Sequence, residues 1–177
     1  MNTSKEKVID SAQKLFHLNG FHNTSIDDIL ESTGVTKSNL YYHFKSKDEL
    51  FIELFHYMNR KYYAQIPTYV TEICDPGERL MHFVTIANKV LIENTDFLKF
   101  THEFMSIGLR KPAIREVMTS YYNDQIEKVR KTIESGIKSG KFIPVNAEEM
   151  ARAIVLVTIG AFNAYFTLDS NFDLVKQ

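Results

Sequence analysis

A short stretch of the chain holds three helix starts and one turn glycine, which leaves few ways to fold it. Residues 24–50 read TSIDDILESTGVTKSNLYYHFKSKDEL. Ser25, Thr36 and Ser46 each stand where a hydroxyl can accept a hydrogen bond from an amide of a helix N-terminus, so helices should begin near residues 26, 37 and 47. Gly34 can take the left-handed conformation that ends one helix and turns into the next. This spacing fits a helix-turn-helix and makes DNA the first partner to test.

An amphipathic helix precedes this stretch. From about Ser4 to Asn19 apolar residues recur at helical spacing, and Gly20 should close the helix. Together with the next two helices it predicts a small three-helix core, made of Val8, Ile9, Ala12, Leu15, Phe16, Ile26, Ile29, Leu30, Val35, Leu40 and Phe44.

The other side chains of the third helix should point outward, where their chemistry suits DNA. Lys37, and Lys47 at the next helix start, can meet phosphates as point charges. Ser38 and Asn39 are short enough to reach base edges. The run from Tyr41 to His43 can contact a thymine methyl or the DNA backbone, although the same three side chains could instead pack against the next domain.

Residues 21–26 (FHNTSI) and 34–47 (GVTKSNLYYHFKSK) resemble the N-terminal signature of the TetR-type (TetR/AcrR) transcriptional regulators, and the resemblance is specific over residues 4–55. It implies an all-α fold with a helix-turn-helix DNA-binding domain at residues 1–46 and a helical ligand-binding and dimerisation domain at residues 47–177. It also adds phosphate contacts at Thr24, Ser25 and Thr36. The full predicted DNA-binding set is Thr24, Ser25, Thr36, Lys37, Ser38, Asn39, Tyr41, Tyr42, His43 and Lys47.

Aromatic and methionine side chains crowd the middle of the chain, and as a group they predict an apolar ligand cavity. Any single one of them is more often plain core than part of a pocket. The predicted ligand-binding residues are Tyr62, Phe83, Phe100, Phe104, Met105, Met118, Tyr121, Tyr122, Gln125 and Phe162. Polar neighbours such as Glu103 could orient a ligand if they face inward. The charge of the ligand stays open.

The last two long helices, near residues 112–139 and 147–168, are where we expect a homodimer to form. Residues 150–166 are apolar nearly all round, so one side can face its own domain while the other needs a second cover. The alternative is a central helix of a monomeric domain. The predicted interface residues are Val129, Ile133, Ile137, Ile154, Val155, Thr158, Ile159, Phe162, Tyr165 and Phe166.

Charge and composition refine these expectations. Residues 1–47 carry six lysines against five acidic residues, which leaves little bulk attraction for DNA and favours two copies on a palindromic operator. The lone Cys74 suits a reducing cytoplasm and is expected to be inert. The helix at residues 4–19 carries acids, unlike a signal peptide. A membrane span at residues 150–168 is disfavoured because Arg152 lies inside it.

The expected function is a repressor that a small, largely apolar ligand releases from double-stranded DNA. A tilt of the helix that starts at Lys47 would change the separation of the two reading helices in a dimer. A ligand-independent regulator or an activator on the same fold is the alternative. The spacing of Glu53 and His56 could chelate metal in a bundle enzyme, but a di-metal site needs a second such motif, so we expect no enzyme and no cofactor.

Overall fold

The computed structural model describes residues 3–63 and 75–167 of the chain, and in this part every regular element is an α-helix. The helices run α1 Ser4–Asn23, α2 Ile26–Thr33, α3 Lys37–His43, α4 Lys47–Tyr63, α5 Pro76–Glu93, α6 Thr95–Gly108, α7 Pro112–Lys138 and α8 Ala147–Thr167. The all-α expectation is confirmed. Cys74 lies outside the described residues.

Local capping explains where the first helices begin. The Ser25 hydroxyl accepts the Asp28 amide at 3.1 Å, and the Asp28 carboxylate accepts the Ser25 amide in return. Backbone and hydroxyl donors of Ser25 hold the pKa of the Asp28 carboxyl below its usual range. Thr36 caps α3, and Ser46 accepts the Glu49 amide at the start of α4. The three helix starts predicted from Ser and Thr are therefore confirmed.

Two glycines shape the entry to the helix-turn-helix. Gly34 ends α2 with φ 66° and donates its amide to the Leu30 carbonyl at 2.9 Å, as a left-handed cap does. Gly20 has φ 78° and interrupts α1, after which one further turn carries Phe21 inward. The sequence predicts that the first helix ends at Gly20. In the structure Gly20 forms a kink, and the helix continues to Asn23.

The chain divides into two compact units, Met1–Tyr62 with Thr95–Arg115, and Tyr63–Asn94 with Glu116–Gln177. The first unit is larger than the DNA-binding domain predicted at residues 1–46, because aromatic rings of α4 and α6 join its core. Phe51 of α4 lies 5.2 Å from the Phe16 ring and 4.9 Å from the Phe100 ring, centroid to centroid. Edge and offset contacts of this kind add to the burial of the rings themselves.

The second unit has its own core. Ile126, Val129 and Ile133 of α7 are buried together with Ala151 and Val155 of α8. Partly buried apolar side chains surround them, among them Leu80, Phe83, Tyr122, Ile137 and Phe142. No helix in the described residues is long and apolar enough to cross a membrane.

Candidate nucleic-acid interface

Helix α3 has one buried side and one exposed side. Leu40 is fully buried and so is Phe44 just after the helix, which anchors α3 to the domain. Tyr42 is 85% exposed and Tyr41 43% exposed. The remaining exposed positions are Lys37, Ser38 and Asn39. Helical spacing therefore turns five of the predicted DNA-binding side chains to the same open side, because the apolar positions take the inner one.

The hydroxyls of Ser25 and Thr36 cap α2 and α3. Thr36 accepts the Asn39 amide at 3.4 Å and lies 3.2 Å from the Ser38 hydroxyl. Thr36 and Ser25 are both exposed residues. The Lys37 ammonium is 3.5 Å from the Asp27 carboxylate, and both side chains are mostly exposed. An exposed pair of this kind is weak, so Lys37 can exchange Asp27 for a phosphate.

His43 stands at the end of α3 and is half-buried. Its Nε2 lies 3.3 Å from the Ser4 hydroxyl at the start of α1, and its ring meets the Tyr42 ring edge-on at 5.1 Å. The imidazole is therefore tied to α1 on one side.

Thr24 occupies a different place from the one predicted. Its side chain is fully buried, and its hydroxyl donates to the carbonyls of Leu15 at 3.2 Å and Gly20 at 2.9 Å. A hydroxyl held in the core cannot meet a phosphate. The prediction of a phosphate contact at Thr24 is replaced by a structural role, in which its hydroxyl donates to carbonyls of α1 on both sides of the kink.

Lys47 also departs from the prediction. Its ammonium donates to the carbonyls of Phe21 at 2.8 Å and Thr24 at 2.9 Å, and it lies 4.3 Å above the centre of the Phe21 ring. Burial lowers the pKa of Lys47. A lysine that caps the last carbonyls of α1 is not available as a point charge for DNA, so the predicted phosphate contact is corrected.

Sequence reasoning missed the polar contacts that hold α6 to this region. The Phe21 amide donates to the Glu103 carboxylate at 2.6 Å, and a Cβ added at Gly20 would stand 3.1 Å from the same carboxylate oxygen. The Lys111 ammonium pairs with the Asp48 carboxylate at 2.7 Å. The one available signal was the glycine at position 20, which marks a close backbone approach. Glu103 is thus engaged by backbone rather than free to orient a ligand.

The predicted ligand-binding residues are divided between the two units. Phe100 and Phe104 belong to the ring cluster of the first unit, where Phe104 stacks on Phe55 at 4.3 Å. Tyr62 stacks on Phe97 at 4.9 Å, and Met105 is half-buried in α6. The other described positions lie in the second unit and are Phe83, Met118, Tyr121, Tyr122 and Gln125. The Phe162 side chain lies outside the described residues.

Tyr122 is the most perturbed titratable group among the predicted ligand residues. Burial raises the pKa of its phenol to about 12. The hydroxyl therefore stays protonated at neutral pH and can donate as well as accept.

The predicted dimer residues fall into a buried group and a partly buried group. Val129, Ile133 and Val155 are buried in the core of the second unit, so they cannot form an exposed face, and this part of the prediction is corrected. The partly buried positions are Ile137, Ile154, Thr158, Ile159 and Tyr165. The side chains of Phe162 and Phe166 lie outside the described residues. The exposed apolar surface of α8 is formed instead by Met150, Leu156 at 59% exposure and Val157 at 71%.

The Glu53 and His56 pair has a simpler explanation than a metal site. Glu53 accepts from Lys5 at 3.1 Å and from Arg60 at 3.4 Å, while His56 is exposed. Across residues 3–63 and 75–167 no group of three His, Cys, Asp or Glu side chains could hold a metal ion.

Comparison with known proteins agrees with this geometry. Residues 8–54 match the family model of bacterial regulatory proteins, tetR family. The HTH-type transcriptional regulator LmrA of Bacillus subtilis (strain 168) is 33% identical over 82 residues, which are 46% of this chain and 44% of LmrA. The HTH-type transcriptional regulator RutR of Escherichia coli (strain K12) is 23% identical over 151 residues, 85% of this chain and 69% of RutR. The chain thus spans less than half of the first of these relatives.

Solved structures share the fold over nearly the whole chain. A TetR transcription regulator from Haloarcula marismortui superposes with a TM-score of 0.84 at 22% identity, covering 97% of this chain and 90% of that one. A transcriptional regulator from Saccharomonospora viridis in complex with choline gives a TM-score of 0.81 at 22% identity, with 97% and 89% covered. Residues 8–54 thus match the model of the tetR family of bacterial regulatory proteins, and the helices that follow share the fold of these solved structures.

Proposed function

We propose that this protein is a homodimeric repressor that binds a palindromic operator through α3 and leaves it when a small, largely apolar ligand binds. The observation that carries the proposal is the exposed side of α3, where Tyr42 and its neighbours project from a helix anchored by Leu40 and Phe44. Short polar side chains at Ser38 and Asn39 suit base edges, and Lys37 suits a phosphate. A protein that reads a chromosomal operator works in the cytoplasm.

The exposed apolar side of α8 supports a dimer. Leu156 and Val157 are more than half exposed, and Gly160 has no atom within 4 Å of the position a Cβ would take. Large apolar side chains around a glycine allow close approach of a second helix and gain from burial. Two reading helices spaced by about 34–36 Å would then fit successive major grooves on one face of DNA. Light scattering at micromolar concentration should give twice the mass of 20.5 kDa.

A ligand site in the second unit is the third part of the proposal. Phe83, Met118, Tyr121, Tyr122 and Gln125 supply apolar surface with few polar groups, the composition of a small-molecule pocket. Among proteins of the same fold, the Saccharomonospora viridis regulator is in complex with choline and the FadR of Bacillus subtilis with stearoyl-CoA. A ligand that binds the wider-spaced state of the dimer more tightly would weaken operator binding. The loss of operator affinity cannot exceed the ratio of the ligand's affinities for the two states.

The test is selection of bound fragments from sheared genomic DNA of the source organism. The native chain is run beside Tyr42→Ala and beside Glu116→Gln, an exposed change on α7 that serves as the matched control. We expect a palindromic site to be enriched by the native chain and by the control, and not by Tyr42→Ala. Equal recovery with all three would overturn the proposal.

The enriched DNA site also serves to measure the sign of regulation. When it is inserted upstream of a reporter gene, a repressor lowers expression and an activator raises it. An operator affinity that no ligand from a screen of apolar compounds changes would favour the ligand-independent alternative.

A further inference from the structure

A small cavity of about 100 Å³ opens on the first unit among helices α1, α4 and α6. Its floor is apolar, formed by the buried side chains of Met58 and Phe100. Its remaining walls are polar and charged, formed by Gln13, Lys14 and His17 of α1 and by Asp96 in the first turn of α6. The cavity therefore joins an apolar base to a rim that carries both signs of charge.

The rim groups leave much of their binding capacity unused. The Gln13 amide and the Lys14 ammonium make no hydrogen bond or ion pair with the rest of the described chain. The His17 Nε2 lies 3.7 Å from the Asp96 carboxylate, and both side chains are substantially exposed. Because Gln13 and Lys14 lie four and three residues before His17, all three point to the same side of α1.

We propose that this cavity binds a compact zwitterion with a short apolar group, of the class of the free aliphatic α-amino acids. The ligand carboxylate would pair with the Lys14 ammonium and accept from the Gln13 amide. The ligand ammonium would pair with the Asp96 carboxylate, and the aliphatic group would cover Met58 and Phe100. An apolar cavity of roughly 150 Å³ holds a benzene molecule. The cavity here, at about 100 Å³, therefore has room for the short aliphatic group alone, and the two charged groups of the ligand stay at the open rim.

Opposite charges on the rim favour this class over singly charged ligands. A simple carboxylate would satisfy Lys14 and bring a like charge close to Asp96. A simple amine would satisfy Asp96 and face the Lys14 ammonium. Only a ligand with both groups gains from both sides of the rim. The site belongs to the first unit, and of the residues predicted above for DNA, for the larger ligand and for the dimer it shares Phe100 alone.

The test measures the binding of three compounds to the full chain at low salt, by titration calorimetry and by changes in NMR chemical shift. L-valine carries both charged groups, isovalerate lacks the amine and isobutylamine lacks the carboxylate. We expect L-valine to bind with a dissociation constant of about 1 mM, a reasonable affinity for so few atoms. Isovalerate and isobutylamine should bind about tenfold more weakly, since each loses one charged hydrogen-bond partner.

Variants of the rim locate the site. Asp96→Asn and Lys14→Gln should each weaken L-valine binding about tenfold, to the level of the analogue that lacks the matching group. Asp124→Asn and Lys128→Gln make the same changes at exposed positions on α7 and should leave binding unchanged. Circular dichroism of the four variants checks that each is folded.

No saturable L-valine binding up to about tenfold above the expected constant would overturn the proposal. So would equal binding of all three compounds, or L-valine binding that neither rim variant weakens. DNA is absent from this experiment, so its outcome is independent of the operator selection.

Discussion

Replacing Lys47 with methionine should lower the stability of the first unit without changing how operator affinity depends on salt. Methionine keeps most of the apolar stem and removes the ammonium that donates to the Phe21 and Thr24 carbonyls at 2.8 and 2.9 Å. It also removes the cation 4.3 Å above the Phe21 ring. The junction between α1 and α2 would then hold two carbonyls without their donor.

The size of the effect follows from these contacts. Hydrogen bonds to a charged group contribute about 1.5–3 kcal/mol each, and a cation over a ring adds about 0.5–2 kcal/mol. Much of this is offset, because the variant no longer desolvates an ammonium and water can reach the freed carbonyls in part. We expect a net loss of about 2 kcal/mol. For a chain of this length the midpoint of thermal unfolding should fall by about 4–8 °C.

The assay pairs thermal unfolding with the slope of log operator affinity against log salt. A lysine that neutralises a phosphate contributes about 0.9 to this slope per subunit. Lys37→Met is the matched control, and it should lower the slope by about 0.9 per subunit while the unfolding midpoint stays unchanged. The reasoning is refuted if Lys47→Met lowers the slope in the same way and leaves the midpoint where it was.

Three further changes test the local account of the fold. Thr24→Val keeps the shape but removes the hydroxyl that donates to Leu15 and Gly20, so urea unfolding should show a loss of about 1–2 kcal/mol. Gly34→Ala forces a side chain into φ 66° and should cost about 1 kcal/mol by the same assay, even though nothing lies within 4 Å of the new Cβ; an unchanged midpoint would remove the argument from strain. Glu127→Gln tests pH dependence: hydrogen bonds from Arg130 lower the pKa of Glu127 to about 2 from 4.5, so the stability it provides is present above pH 4.5 and is lost as the pH falls towards 2. Melting curves of the native chain and this variant should therefore differ at pH 7 and converge near pH 2, and a constant difference across that range would contradict the assignment.

Features that depend on neighbouring residues were predictable from the sequence. The hydroxyls of Ser25, Thr36 and Ser46 each accept an amide from the first turn of the helix that follows, and the Gly34 turn closes on Leu30. Such signals are complete within one turn of helix, so a local pattern contains all the information that decides them.

Features that depend on residues far apart in the chain could not be predicted from the sequence. Lys47 caps carbonyls at Phe21 and Thr24, and Glu103 binds an amide 82 residues away in the chain. Before those partners were known, a lysine at a helix start was equally consistent with a phosphate contact. The role of a charged side chain depends on the groups that it faces in the folded protein, and the spacing of residues along the chain does not reveal those groups.

Helix α8 shows the same limit for apolar residues. Residues 150–166 are apolar on nearly every side, so their periodicity gives no direction for the core. The structure places Ala151 and Val155 inward and turns Leu156 and Val157 outward. A dimer face chosen from the sequence alone therefore mixed core positions such as Val155 with candidates for the surface.

The most direct test of the central claim compares the specificity of operator binding between the native chain and two α3 variants. Fluorescence anisotropy would measure affinity for the selected palindrome and for a scrambled duplex, with Asn39→Ala and Tyr42→Ala beside the native protein. The account predicts that each variant stays folded, keeps its affinity for the scrambled duplex and loses about 1–3 kcal/mol of discrimination for each base contact removed. Unchanged discrimination in both variants would contradict the claim that the exposed side of α3 reads DNA.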